Sequence, residues 1–477
     1  MAGPRTQFVM YSGTHTIGGV VAAVSYGRDR VVFEFGAAYD PGTEYFDATV
    51  KVRSRHWISD RLRLGLLPAI DGLYRRQDLC GYPLVPAEDS PYNTAVFITH
   101  LHLDHMAFMG MVAPQIPVYL HHDAQRIERA LETVGQGVET LRRDYTDIVP
   151  DKPIKVGAIT VLPLLCSDES YHDFSFCVTT PDGTIHWTGD LVLHGRQSDR
   201  VWRQIDILRK INVDVLMCDC TAFMDSVMQM MYKTMDPSVI KPSKDVPEGM
   251  LTEQQFYDGL FANIRDCQGL VVFNYYQREM GDVRQLLDWA AQVRRKCVFE
   301  PDAAYVIWKF FGTAPAVYLP DAAPYCQADR AKLGWLTELL AHAELVTAQQ
   351  IAADPAGYML QNSYPYIMEL MSLPSQGGIY LHADGIPIGS FDPAYGNMVR
   401  IVKQSGFRYV TFFCENYFGH GYPCQVKYFV DAIDPQMLIP CHSYNPERLL
   451  PNHGVRLIPK LGTVYELSDH VLKEKVD

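Results

Sequence analysis

Four residues of ligand type fall within six positions: His100, His102, Asp104 and His105. Imidazole nitrogen and carboxylate oxygen are the donors that a borderline divalent cation such as zinc prefers. The cluster starts where an apolar run, Ala95 to Thr99, stops. Two histidines at alternating positions just past a strand end can point the same way, toward one ion. After the chain turns, Asp104 and His105 can face a second ion close by. A cation pair held like this acidifies the water between the ions and clamps the group under attack. A solvated surface is the alternative reading, and it does not explain four donors directly behind a fully apolar strand.

The elements that must position this cluster are short and β-rich. Gly19–Ser25, Arg30–Phe35 and Thr94–Thr99 read as strands, and Asp123–Arg143 as a helix. Further strands follow at Ile159–Leu165, Phe174–Thr179, Ile185–Thr188 and Val213–Cys218, with a turn at Pro181–Thr184. From about 222 the character changes. Helical patterns at 252–266, 281–296 and 328–353 enclose the apolar run Leu270–Phe273, which predicts a separate α/β module. Strand-like segments return at 379–382, 409–413, 437–440 and 463–467.

With 477 residues the chain exceeds what one hydrophobic core usually supports, so two domains, or one with a large insertion, are expected. The composition is 48% hydrophobic and 20% charged, that of an ordinary globular protein. No apolar run is long enough for a membrane span, and residues 1–7 lack the apolar core of a secretory signal. Eleven cysteines without paired spacing read as reduced thiols, hence a cytoplasmic protein. A net charge of −13 argues against a wide basic surface, so a nucleic-acid enzyme would need a local positive groove.

The histidine cluster resembles the signature of the metallo-β-lactamase superfamily, and more narrowly its β-CASP branch, the ribonuclease J-like metallo-hydrolases. Thr16–Gly19 and Phe33–Gly36 resemble the family's opening, with Glu34 where an aspartate is common. Trp187–Gly195 resembles its fourth motif and Cys218–Thr221 its acidic-x-Thr motif. Phe418–Gly421 and Ile439–His442 resemble its two late histidine motifs. The resemblance implies an αββα sandwich with an inserted α/β β-CASP domain, divided as 1–221, 222–407 and 408–477. It also implies two divalent ions, zinc with manganese as the alternative. One would be held by His100, His102 and either Asp168 or His172. The other would be held by Asp104, His105 and His442, with Asp190 between the two. In that scheme Asp104 also accepts a proton, His420 acts on the departing oxygen, and Asp219 orients a ligand histidine.

The resemblance departs in places. The third motif normally carries a histidine, and here Asp168 stands in register, with His172 four residues on. In the first of the two late motifs the family's first histidine is Asn416 and its serine is Phe418. Asn274–Gln277 with Asp282–Arg284, and Leu381–Gly385, resemble phosphate-contacting segments, which makes Asn274, Arg284 and His382 substrate-binding candidates. Tyr275 and Tyr276 offer stacking faces, with core packing as the alternative. Arg142–Arg143 and Arg294–Lys296 read as solvated helix faces. The expected activity is hydrolysis of phosphodiesters, with RNA as the substrate and partner. The alternatives are a small phosphodiester or cyclic nucleotide, and a catalytically weak scaffold relative. A homo-oligomer is compatible with all three.

Overall fold

The computed structural model describes residues 3–475 apart from 43–44, 47–48, 139–140, 167–171, 323, 326–331 and 413–414. Asp168 therefore lies outside the described residues. Three seven-stranded sheets organise the chain. The first runs Val471–Glu474, Val464–Ser468, Thr6–Ser12, Val21–Tyr26, Asp29–Phe33, Asn93–Phe97 and Val118–Tyr119. The second runs Val455–Arg456, Met437–Cys441, Val215–Asp219, Gly183–Trp187, Phe174–Thr180, Ile159–Leu165 and Ile154–Val156.

Period-two alternation explains why these two sheets pack face to face. Val31, Phe33, Ala95 and Phe97 meet Phe176, Trp187, Met217 and Ile439 in one buried core. The intervening Val32, Val96 and Ile98 face the opposite layer. On the second sheet, Cys177, Leu216, Cys218 and Leu438 pack beneath the helices Ser198–Ile211 and Pro423–Ile433. With both faces covered, these strands have no polar side, hence their continuous apolar runs. The expected αββα sandwich is therefore present.

The third sheet is parallel throughout, in the order Leu345–Val346, Ala316–Tyr318, Lys296–Phe299, Tyr358–Gln361, Val271–Asn274, Ile379–His382 and Arg408–Val410. It is the additional α/β module, and its last strand runs past residue 407. The single helix expected over 328–353 is two helices, Gly334–Leu340 and Ala348–Ala353, with the strand Leu345–Val346 between them. A capping box of Thr347 and Gln350 starts the second helix and sets the break. The helix expected over 123–143 ends at Val134, where Gly135 takes a left-handed conformation.

The basic clusters are only partly solvated: Arg142, Arg294 and Lys296 are exposed, as expected, but their neighbours Arg143 and Arg295 are not. Arg143 is buried and donates to the carbonyls of Met109, Val112 and Ile116. Arg295 is buried and donates to those of Cys267 and Gly269. Among the described residues no helix is long and apolar enough to cross a membrane, and the nine described cysteines are all free thiols.

One buried ion pair ties the module to the sandwich. Arg278 donates to Glu128 at 2.8 Å, and also to the Leu101 and Gln136 carbonyls. Leu101 lies between His100 and His102, so this arginine braces the histidine turn from the module's side. Arg278→Met should cost about 3–5 kcal/mol in urea unfolding, because it strands the Glu128 charge in the interior. Adding Glu128→Leu should recover much of that loss. A single variant as stable as wild type would show that the pair does not bridge the two parts.

Candidate metal centre

Five parallel strands deliver the site residues from their C-terminal ends, the edge at which open α/β sheets bind ligands. Glu34 follows Asp29–Phe33, and His100 to His105 follow Asn93–Phe97. Asp190 follows Gly183–Trp187, Asp219 ends Val215–Asp219, and His442 follows Met437–Cys441. His442 and Glu34 hold left-handed backbones, with φ of 60° and 59°. Residues of this kind in sparsely populated regions persist only where their surroundings over-determine them. Two glycines are required by close approach. A Cβ on Gly36 would stand 2.0 Å from the Asp104 carbonyl oxygen, and one on Gly18 would stand 2.2 Å from Asp104 Cβ.

Each buried ligand-type imidazole is oriented through Nδ1, leaving Nε2 to face a common centre. Thr99 Oγ1 lies 2.9 Å from His100 Nδ1, and Thr221 Oγ1 lies 2.7 Å from His442 Nδ1. Glu34 Oε1 lies 3.5 Å from His105 Nδ1, and Glu34 is itself fixed by the Trp187 indole N–H at 2.9 Å. Asp190 sits between the Nε2 atoms. Its Oδ2 is 3.6 Å from His100, while its Oδ1 is 3.2 Å from His105 and 3.5 Å from His442. Asp104 Oδ2 adds contacts of 3.3 Å to His442 and 3.6 Å to His105.

Three overlapping donor groups result: His100, His102 and Asp190; Asp104, His105 and His442; and Asp190, His420 and His442. Within each, the ligand atoms lie within 4.8 Å of one another. His100 Nε2, His105 Nε2 and Asp190 Oδ1 are buried without a hydrogen-bond partner. Buried polar atoms left in this way cost stability unless something satisfies them. Nitrogen and oxygen donors aimed at shared points fit a pair of divalent cations.

The charges interlock. Burial, then His105 and His102, push the His100 imidazole well below its ordinary range. Burial would raise Asp104 and Asp190, but the histidines around them outweigh it and hold both carboxyls below their usual range. His420 Nδ1 donates to Asp219 Oδ2 at 2.9 Å. Burial lowers His420, but Asp219 and Asp190 prevail and lift it to about 9. Asp219 is itself buried and accepts from the Leu191 and Thr221 backbone N–H groups. It is a positioning residue for His420 and does not line the cavity.

A cavity of about 300 Å³ opens above this cluster, lined by His100, His102, Asp104, Asp190 and His420 on one side. Four sequence candidates are placed elsewhere. His172 packs against His121, with ring centroids 4.3 Å apart, and the residue of that turn that lines the cavity is Asp173. Asn274 Nδ2 donates to the Ile386 carbonyl, and His382 Nε2 lies 2.8 Å from the Gly385 carbonyl oxygen. Both hold the 385–387 loop and do not face a ligand. Arg284 is exposed, with its guanidinium 4.4 Å from the Phe311 ring centre.

Asp282, Asp384 and Tyr276, which fall within the segments singled out from the sequence, line the cavity with Tyr39 and Tyr257, and the lining carboxylates missed are Asp173 and Glu279. Glu279 Oε1 contacts His102 Nε2 directly, which places a carboxylate of the module beside the first donor group. Burial, then Asp282 and Asp173, hold Glu279 well above the ordinary carboxyl range. The only visible signal was an acidic residue just beyond the Asn274–Gln277 stretch. Where the late motif departs from the family, Tyr417 lines the cavity and Phe418 joins the core under the second sheet.

Comparison with known proteins agrees with this geometry. Residues 68–250 match the Beta-lactamase superfamily domain, a stretch that includes His100 to His105, Asp190 and Asp219. The crystal structure of a protein of unknown function from Enterococcus faecalis V583 aligns with TM-score 0.72 and 24% identity. That alignment covers 97% of this chain and 100% of that one, so the two share a fold. The metallo-beta-lactamase fold protein YhfI from Bacillus subtilis aligns over 46% of this chain and 72% of its own, at 19% identity and TM-score 0.29. No curated protein matches. The three sheets and the match over residues 68–250 make a mixed α/β fold that is consistent with a metallo-β-lactamase fold carrying an additional domain.

If Thr221 fixes His442 for ligation, Thr221→Val should weaken divalent-metal binding about 10–100-fold in chelator competition while leaving the fold intact. Unchanged affinity would mean that this hydroxyl orients nothing.

Proposed function

We propose that the chain is a divalent-metal-dependent hydrolase of a small or chain-terminal phosphodiester, with zinc as the resident ion and manganese as the alternative. The observation that carries this reading is Asp190, whose two carboxylate oxygens serve two separate groups of histidines. A pair of bound divalent cations supplies charge neutralisation at the attacked group and an acidified water. His100, His102 and Asp190 would hold one cation, with Glu279 beside them, and Asp104, His105 and His442 the other. Asp104, kept ionised by His105 and His442, takes up the proton released on attack. His420, kept protonated by Asp219 and Asp190, gives one to the departing oxygen. Ile17, Ala37, Ala38, Ile386 and Ile388 wall the cavity and limit its water.

Size and charge support a small substrate. A volume of about 300 Å³ is at the low end for ligand pockets. No lysine or arginine stands among the described lining residues, whereas Asp173, Glu279, Asp282 and Asp384 do. An extended polyanion gains its affinity from lysines and arginines along its path. A ribonuclease J-like activity on RNA is the second reading. It is favoured by Tyr276, whose ring centre lies 5.3 Å from that of His102 and offers a face for a base at the site.

The test is turnover by zinc- or manganese-loaded protein on bis(p-nitrophenyl) phosphate and on cyclic nucleotides, beside 5′-labelled RNA. The expected result is hydrolysis of the small diesters, lost on chelation, with a KM that barely changes with salt. His420→Gln should lower kcat about 10²–10⁴-fold. Cleavage of RNA alone, with affinity falling steeply in salt, would replace this reading by the second. Diester hydrolysis undiminished in His102→Ala would end both.

A further inference from the structure

The chain holds a second concentration of imidazoles. His121 and His122 stand at the start of the helix His122–Val134, followed by Asp123. His172 lies in the turn before the strand Phe174–Thr180, where it takes a left-handed backbone with φ of 72°. The fold brings these residues together. The His121 ring centre is 4.4 Å from that of His122 and 4.3 Å from that of His172.

The Asp123 carboxylate faces all three imidazoles. Its Oδ1 lies 3.3 Å from His122 Nε2, while its Oδ2 lies 3.9 Å from His121 Nδ1 and 3.6 Å from His172 Nδ1. Donors about 2.1 Å from a tetrahedral zinc stand roughly 3.4 Å from one another, and these three separations bracket that value. Donor atoms of His121, His122 and Asp123 already lie within 4.8 Å of each other. His121 Nδ1 also accepts the Asp123 backbone N–H at 3.3 Å, which fixes the ring at the start of the helix.

Arg126 is the neighbouring cation, with Nη1 3.2 Å from Asp123 Oδ1. Its Nη2 donates to the Phe310 carbonyl at 2.7 Å, which anchors the guanidinium on the far side of the carboxylate. The oxygen that faces His121 and His172 is the other one, Oδ2.

We propose that His121, His122 and Asp123 form a separate divalent-cation site of structural type suited to zinc, with His172, which faces His121 and Asp123, as the neighbouring fourth donor. It shares no residue with the centre built around Asp190. Its role follows from its place in the chain. Asp173, next after His172, lines the main cavity. An ion here clips the 172–173 turn to the start of the helix and steadies that wall of the cavity.

The test uses the full chain, stripped with a chelator, reloaded with zinc and freed of loosely held metal, with zinc counted by elemental mass spectrometry. His122 is well exposed, so His122→Ala should fold as wild type does, and Asp123→Asn serves as a second variant. Both are expected to bind about one equivalent less than wild type, and His102→Ala is expected to keep that equivalent. Cobalt supplies a second readout. The absorption of a tetrahedral Co²⁺ site should persist in His102→Ala and fall by one site's intensity in a His102→Ala/His122→Ala double variant. Equal zinc content in wild type, His122→Ala and Asp123→Asn would overturn the proposal. So would a cobalt spectrum that disappears in His102→Ala alone. The His122→Ala and Asp123→Asn variants leave every ligand of the Asp190 centre in place, so their zinc content tests this site alone.

Discussion

The structure turns on one carboxylate held among imidazoles that it must share. Asp190 is partly buried just past the end of a central strand, and its two oxygens point to different histidines. A carboxylate in that position is unfavourable unless cations or protonated rings compensate it. The surroundings are therefore fixed in detail: three histidines locked at Nδ1, a glutamate locked by an indole, and glycines where a Cβ would strike Asp104. Each of these constraints comes from a different strand end. The sandwich is thus a device for bringing distant segments of the chain to one point.

How much of this was legible in the sequence depended on distance along the chain. The 100–105 cluster is local, so its spacing reports its geometry directly. Asp190 and His442 are single residues in common contexts, and only their order behind that cluster marked them. The αββα layers were legible because period-two alternation and double-sided burial leave a plain apolar trace at Val31–Phe33, Ala95–Ile98 and Val215–Cys218. Glu279 left no such trace, since its approach to His102 is set by how the module docks, and Asp173 lies in a turn of the second sheet that no periodicity marks.

The substrate-binding candidates failed for a stereochemical reason. Asn274 and His382 are the last residues of adjacent parallel strands, and both turn toward the 385–387 loop that crosses the sheet end. The cavity is met two positions later on each strand's continuation, at Tyr276 and Asp384. Arg284 failed because its helix turns that position outward, onto Phe311. His172 is of ligand type, but its turn carries it to Asp123 and not to His100. Residue identity was informative in each case, and side-chain direction at an element's end was not.

The module does more than cover the sandwich. Arg278 braces the backbone at Leu101, and Glu279, its neighbour, touches His102. One turn of the module therefore addresses both the backbone and a side chain of the first donor group.

The central claim is that Asp190 bridges two cations. The most direct measurement is anomalous diffraction at the zinc edge from crystals of the zinc-loaded chain. The account predicts a pair of peaks about 3.5–4 Å apart, with one Asp190 oxygen directed to each. A single peak, or zinc only at sites remote from Asp190, would contradict it.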